Sequence, residues 1–169
     1  MKKALIVIDM QKDFVSGSLA NAAAKAIVMP IVRTIDTFRG TVIATRDTHD
    51  KNYLSSTEGK NLPITHCIKD TNGWKIVPEI ADALDFKKAV IIDKPTFGTT
   101  NWDVLQGYDV VELVGTCTDI CVVSNALIIK ALYPDLTVRV RASLCAGTSV
   151  ENHNAALQVM RCCQIEVVD

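Results

Sequence analysis

The sequence predicts an α/β protein of three layers, α/β/α, built on a six-stranded and mostly parallel sheet. Short runs rich in Val and Ile recur along the chain, and segments with apolar residues at helical spacing lie between them. Strands that alternate with helices in this way imply a parallel sheet covered on both faces. Reactive side chains also stand just past several of the runs, where open parallel sheets hold their ligands. The chain of 169 residues suits one compact domain, 1–169, with a sizeable core.

Lys3 to Ile8 reads as a buried strand ending at Asp9, followed by a loop from Met10 to Leu19. From Asn21, Ile27, Ile31, Ile35 and Phe38 mark a helix that Pro30 is expected to kink and Gly40 to end. Thr41 to Thr45 is the second strand. The polar stretch from Arg46 to Gly73 shows little periodicity, and loops of this length in a compact domain are usually functional. Val77, Ile80, Ala81 and Leu84 suggest a short helix before a third strand, Ala89 to Ile92. Asn101 to Leu105 reads as a helical turn, and Val110 to Val114 as a fourth strand that breaks at Gly115. A helix then runs from Asp119 to about Tyr133, before Pro134. Leu136 to Val140 is a fifth strand and Ile165 to Val168 a sixth. Thr148 and Glu151 have capping-box spacing for the helix between them, which runs to about Arg161.

Composition narrows the function. Eighteen basic and nineteen acidic residues give a net charge of −1 with no basic stripe, so nucleic acid is not an expected partner. The apolar run after Lys2-Lys3 is cut by Asp9 after five residues, too short for an export signal or a membrane span. Six cysteines match no CxxC pair, which fits a reduced, cytoplasmic protein. The 49% hydrophobic content suits a buried sheet, with a homo-oligomer interface as a further reading. Neither G-x-G-x-x-G nor G-x-x-x-x-G-K-[ST] follows any strand, so dinucleotide and P-loop chemistry are unsupported.

Three strand ends carry the chemistry: Asp9 after the first, Lys94 after the third and Cys121 after the fourth. Cys121 falls in the first turn of a helix, where the positive helix end is expected to lower its pKa and where free N–H groups could hold an oxyanion. Each residue has a plainer reading. Cys121 can be a small buried hydrophobe, Asp9 a cap and Lys94 a solvated charge. Together they supply a carboxylate base, a cation and a thiol at one rim, which is what nucleophilic amide hydrolysis needs.

The segments Ile8-Asp9-Met10-Gln11-Lys12-Asp13-Phe14, Asp93-Lys94 with Phe97-Gly98-Thr99, and Gly115-Thr116-Cys117-Thr118-Asp119-Ile120-Cys121-Val122 resemble the isochorismatase-like cysteine hydrolase superfamily. The resemblance spans nearly the whole chain. It implies the isochorismatase-like hydrolase fold, Asp9, Lys94 and Cys121 as catalytic residues, and a cis peptide between Thr116 and Cys117. It also implies an oxyanion hole from the N–H groups of Cys117 and Cys121.

In the long loop, Asp47-Thr48-His49 and His66 place a carboxylate and two of the three histidines together. On their own these can be polar loop residues, yet the donor set also suits zinc, iron or manganese. Within the superfamily the arrangement resembles the nicotinamidase branch, in which the metal takes the pyridine nitrogen of the substrate. Glu58 matches a position that is a fourth ligand in some members, and Phe14 one that contacts the substrate ring. Nicotinamidases commonly carry an aromatic residue shortly before the second metal histidine. Here Asn61 to Thr65 offers only aliphatic packing, from Leu62. His153 reads as a surface residue. The resemblance implies an amidohydrolase that cleaves a small carboxamide, with nicotinamide first, through a cysteine thioester and with a divalent metal ion, zinc foremost. The competing readings are a metal-free hydrolase of an N-carbamoyl compound, a ureido compound or isochorismate, and a silent binding protein on the same scaffold.

Overall fold

The computed structural model describes residues 1–169. Six strands form one sheet: β1 (Lys3–Ile8), β2 (Thr41–Asp47), β3 (Val90–Lys94), β4 (Val110–Thr116), β5 (Thr137–Ala146) and β6 (Glu166–Val168). Their order is β3-β2-β1-β4-β5-β6, and every neighbouring pair is parallel. The sheet is therefore wholly rather than mostly parallel. Six helices accompany it: α1 (Lys12–Val15), α2 (Ala22–Thr37), α3 (Thr57–Asn61), α4 (Pro78–Phe86), α5 (Val123–Leu132) and α6 (Val150–Cys162).

Side chains alternate across each strand, so β1 feeds two cores. Leu5 and Val7 join Ile27, Ile31 and Ile35 of α2 and Ile80 and Leu84 of α4 on one face. Ala4, Ile6 and Ile8 join Ala126 and Ile129 of α5 and Leu157 and Met160 of α6 on the other. No helix is long and apolar enough to cross a membrane.

Several boundaries differ from the sequence reading for local reasons. Helix α2 runs through Pro30, because the lost bond would have gone to Ala26, an exposed position where water can replace it. Asn21 caps it by accepting from Ala23 N at 2.8 Å. The cap of α6 is Ser149, which accepts from Asn152 N at 3.0 Å, rather than Thr148. β4 continues past Gly115 to Thr116. Gly115 has φ +122° and lies so close to β1 that a Cβ would sit 2.2 Å from Ile8 O, so only glycine fits there. β2 and β3 each extend to their functional residues, Asp47 and Lys94, and β5 reaches Ala146, six residues beyond the expected end. The long loop holds a short 3-10 turn, Tyr53–Ser55, and α3 rather than being structureless.

Candidate active site

The sheet order reverses between β1 and β4, and in such folds the crevice at that switch lies beyond the carboxyl ends of the strands. Asp9 follows β1 there, at φ +48°, a conformation that aspartate tolerates better than most residues and that clusters at functional sites. Thr118 to Val122 follow β4 as one π-helical turn leading into α5, not as the first α-helical turn the sequence suggested. In this wider turn Cys117 O accepts from Val122 N, five residues on, instead of from Cys121 N. The Cys121 N–H is thereby released from the bond an α-helix would impose. The Cys117 N–H also makes no hydrogen bond within the chain. The Thr116–Cys117 peptide is cis.

Asp9, Lys94 and Cys121 meet beneath this turn. Lys94 Nζ lies 2.6 Å from Asp9 Oδ2 and 3.5 Å from Cys121 Sγ, and both Asp9 and Lys94 are fully buried. Thr45 donates to Asp9 Oδ1 at 2.6 Å. Oδ2 forms the ion pair off the hydrogen-bonding line, so it accepts no aligned hydrogen bond. Burial raises the Asp9 carboxyl above its usual range against the opposing charge of Lys94. For Lys94, burial opposes the ammonium, but Asp9 foremost, then Cys121 and Asp47, hold its pKa above the ordinary lysine value.

The thiol corrects one expectation. Burial, then the charge of Asp9, outweigh Lys94 and push the Cys121 pKa well above that of a free cysteine. A helix end cannot offset nearly complete removal from water, and Lys94 is already matched by Asp9. Burial thus favours the Cys121 thiol over its thiolate.

The second cluster joins β2 to the long loop. Asp47 Oδ2 lies 2.9 Å from His49 Nε2 and 3.6 Å from His66 Nε2; Glu58 Oε1 lies 3.5 Å and 3.8 Å from the same two nitrogens. Donors about 2.1 Å from one ion stand roughly 3.0–3.4 Å apart, close to these separations. His49 Nε2 is buried and makes no hydrogen bond despite its nearness to Asp47, because the two are poorly aligned for one. Donors that approach without bonding one another suit a shared cation. His66 Nδ1 contacts Ile64 O at 2.8 Å, which leaves Nε2 for the cluster. Burial alone would raise Asp47, but His49 and His66, then Lys94, hold its carboxyl well below the usual range. The four residues fit a divalent metal.

Both clusters border one cavity of about 540 Å³. Phe14, Leu62, Phe97, Ile120, Cys117 and Cys121 line it with Asp47, Glu58 and His66. Asp9 and Lys94 lie beneath its floor.

The isochorismatase-domain family matches residues 3–169. The chain belongs to that family. Among isochorismatase-domain relatives, the nicotinamidase/pyrazinamidase of Mycobacterium tuberculosis is 31% identical over 98% of both chains. The nicotinamidase of Schizosaccharomyces pombe is 26% identical over 98% of this chain and 92% of its own. The structure of the pyrazinamidase of Pyrococcus horikoshii in complex with zinc superposes with a TM-score of 0.83 at 28% identity, covering 100% of this chain and 99% of that one.

Every residue the sequence singled out for this isochorismatase-domain site lies at it: the buried Asp9 and Lys94, the cavity-lining Phe14, Leu62, Cys117 and Cys121, and the cluster of Asp47, His49, Glu58 and His66. Four supporting residues had been given no role at the site. Gln11, fully buried, donates to Asp47 O and Trp74 O and accepts from Asp47 N, so it holds the metal-side carboxylate by its backbone. Asp13 accepts from Cys67 N at 2.8 Å beside His66. Tyr53 packs its ring 4.7 Å from His49 and 4.9 Å from His66. His153, read as a surface residue, is half-buried, and its Nδ1 lies 2.8 Å from Oγ1 of buried Thr118 in the π-turn. Only Gln11 and Asp13 carried a sequence signal, as polar residues inside the motif around Phe14.

Proposed function

We propose that this chain is a metal-dependent amidase that hydrolyses nicotinamide to nicotinate and ammonia. The adjacency of the Asp9–Lys94–Cys121 group and the Asp47–His49–Glu58–His66 cluster at one cavity carries this reading, and the nicotinamidase relatives support it.

Asp9 Oδ2, with no aligned hydrogen bond, takes the proton of Cys121 Sγ–H. Burial makes the Asp9 carboxylate a stronger base than a free one, and Lys94, 3.5 Å from Sγ, stabilises the thiolate as it forms. Sγ attacks the carboxamide carbon, and the oxygen takes the negative charge toward the N–H groups of Cys117 and Cys121. Each such donor is worth roughly 10²–10³ in rate. The C–N bond breaks as Asp9 returns its proton to nitrogen, which leaves as ammonia. Water then attacks the thioester, giving one proton to Asp9; the C–S bond breaks, Asp9 returns that proton to Cys121 Sγ, and the acid departs, losing its remaining proton to solvent as nicotinate. Lys94 stays charged throughout. Phe14 packs on the substrate ring, and Leu62 lines the same cavity.

Asp47, His49, Glu58 and His66 hold zinc in this reading, since two imidazoles and two carboxylates suit it. When bound, the ion supplies a Lewis-acid centre for the ring nitrogen. Ammonia release from nicotinamide, benzamide and an N-carbamoyl amine, with zinc present, tests the proposal. Nicotinamide is expected to lead and benzamide, which has no ring nitrogen, to trail clearly. Equal rates for the two would remove the ring-anchoring role, and a leading carbamoyl substrate would replace nicotinamide.

A further inference from the structure

Helix α5 turns an apolar face inward, with Val122, Ala126 and Ile129 fully buried around it. One polar side chain interrupts that face. Asn125 is also fully buried, and its amide is used completely. Nδ2 donates to Cys121 O at 2.8 Å and to Phe97 O at 3.1 Å, while Oδ1 accepts from Thr99 N at 3.1 Å. A leucine would suit the helix face better, so the amide's value lies in what it joins.

It joins the π-turn to the loop after β3. That loop carries the other end of a circuit, because Lys94 Nζ donates to Thr96 O at 3.1 Å and to Cys121 Sγ at 3.5 Å. Gly98 lets the loop lie flat on α5, since a Cβ there would meet Ile128 Cδ1 at 2.5 Å. Phe97, whose carbonyl Asn125 holds, lines the cavity.

We propose that Asn125 is a positioning residue which sets the separation of Cys121 Sγ from Lys94 Nζ by clamping the Thr96–Thr99 loop to the nucleophile's own turn. The inference rests on the roles given above to Cys121 and Lys94. β3, which carries Lys94, and β4, which leads into the turn of Cys121, are separated in the sheet by β2 and β1, so the clamp is a direct tie between segments the sheet joins only through two intervening strands. Catalysis is sensitive to such displacement, whereas ground-state binding at the cavity wall is much less so.

The test uses Asn125→Ala and Asn125→Ser. Serine can still donate to the carbonyl four residues back, Cys121 O, but is too short to reach the loop. Hydrogen exchange followed by mass should rise about tenfold in the peptide containing Thr99, with β1 and β4 peptides unchanged. With nicotinamide, kcat should fall at least about tenfold while KM stays within about threefold in both variants. Asn125→Ser decides if the alanine variant does not fold. A folded variant with unchanged kcat, or with unchanged exchange at Thr99, overturns the proposal, as does a KM that rises in step with the fall in kcat. Wild type inactive on nicotinamide would defeat the substrate reading instead, and the exchange comparison, which needs no substrate, would still judge the clamp.

Discussion

At the level of single residues, Lys94 and Asp9 define each other. A lysine with no exposed surface can stay charged only because a carboxylate stands 2.6 Å away. Asp9→Asn is nearly isosteric, and asparagine accepts the positive φ, yet it leaves the Lys94 ammonium to Asp47 alone, 3.4 Å off. Breaking a buried pair commonly costs about 3–5 kcal/mol. Thermal unfolding should therefore show Asp9→Asn folded but lower in Tm by roughly 6–20 °C. Turnover should drop by at least about 10², the size of a general-base contribution. A variant that lost activity with no change in Tm would show that Lys94 does not depend on Asp9. The grouping of Asp9, Lys94 and Cys121 was legible in the sequence because strand ends place side chains at one rim whatever the helices do. The protonation state of Cys121 was not, since burial is a property of the whole packing.

Among the elements, the π-turn is held from both sides. Asn125 ties its end to the β3 loop, and His153 of α6 meets Thr118 at its start. Burial lowers the His153 pKa, with Asp119 opposing. The unfolded chain, whose imidazole titrates near its usual value of about 6.5, then binds more protons than the folded one just below that pH. The histidine thus weakens folding as pH falls through the ordinary imidazole range, and the loss is recovered above it. Melting curves at pH 7.5 and 5.5 should show a larger drop for wild type than for His153→Gln; a larger drop in the variant would reverse the sign. Neither the π-turn nor His153's contact could be read from sequence. The run Thr118 to Leu132 has the same apolar spacing whether its first turn is α or π, and His153 meets Thr118 across thirty-five residues of chain. The same holds for α3 and Tyr53, which organise a loop whose sequence shows no period.

Across the whole molecule, the all-parallel order β3-β2-β1-β4-β5-β6 brings the ends of β1, β2, β3 and β4 to one edge. Six apolar strand runs made that architecture legible, whereas the far reach of β5 was hidden by its polar alternation from Arg139 to Ser143. The Asp47–His49–Glu58–His66 cluster joins the end of β2 to α3 and to His66, so zinc bound there should stabilise the fold as well as the site. At a hundred times Kd the gain is about 2.7 kcal/mol, so chelation should lower Tm by roughly 5–10 °C, reversibly. His49→Ala should hold about tenfold less zinc by elemental analysis and show no such shift; equal zinc in both proteins would dismiss the cluster as a metal site. Asp47 gives its two oxygens to different neighbours. Oδ1 stands 3.4 Å from Lys94 Nζ, and Oδ2 stands 2.9 Å from His49 Nε2. One carboxylate is thus common property of the reacting group and the metal cluster, and neither can change its charge in private. By thermodynamic reciprocity, whatever factor zinc imposes on a ligand held at Cys121, that ligand imposes on zinc. With zinc at the cluster, occupancy at one end of the cavity would bear on the other through this one side chain.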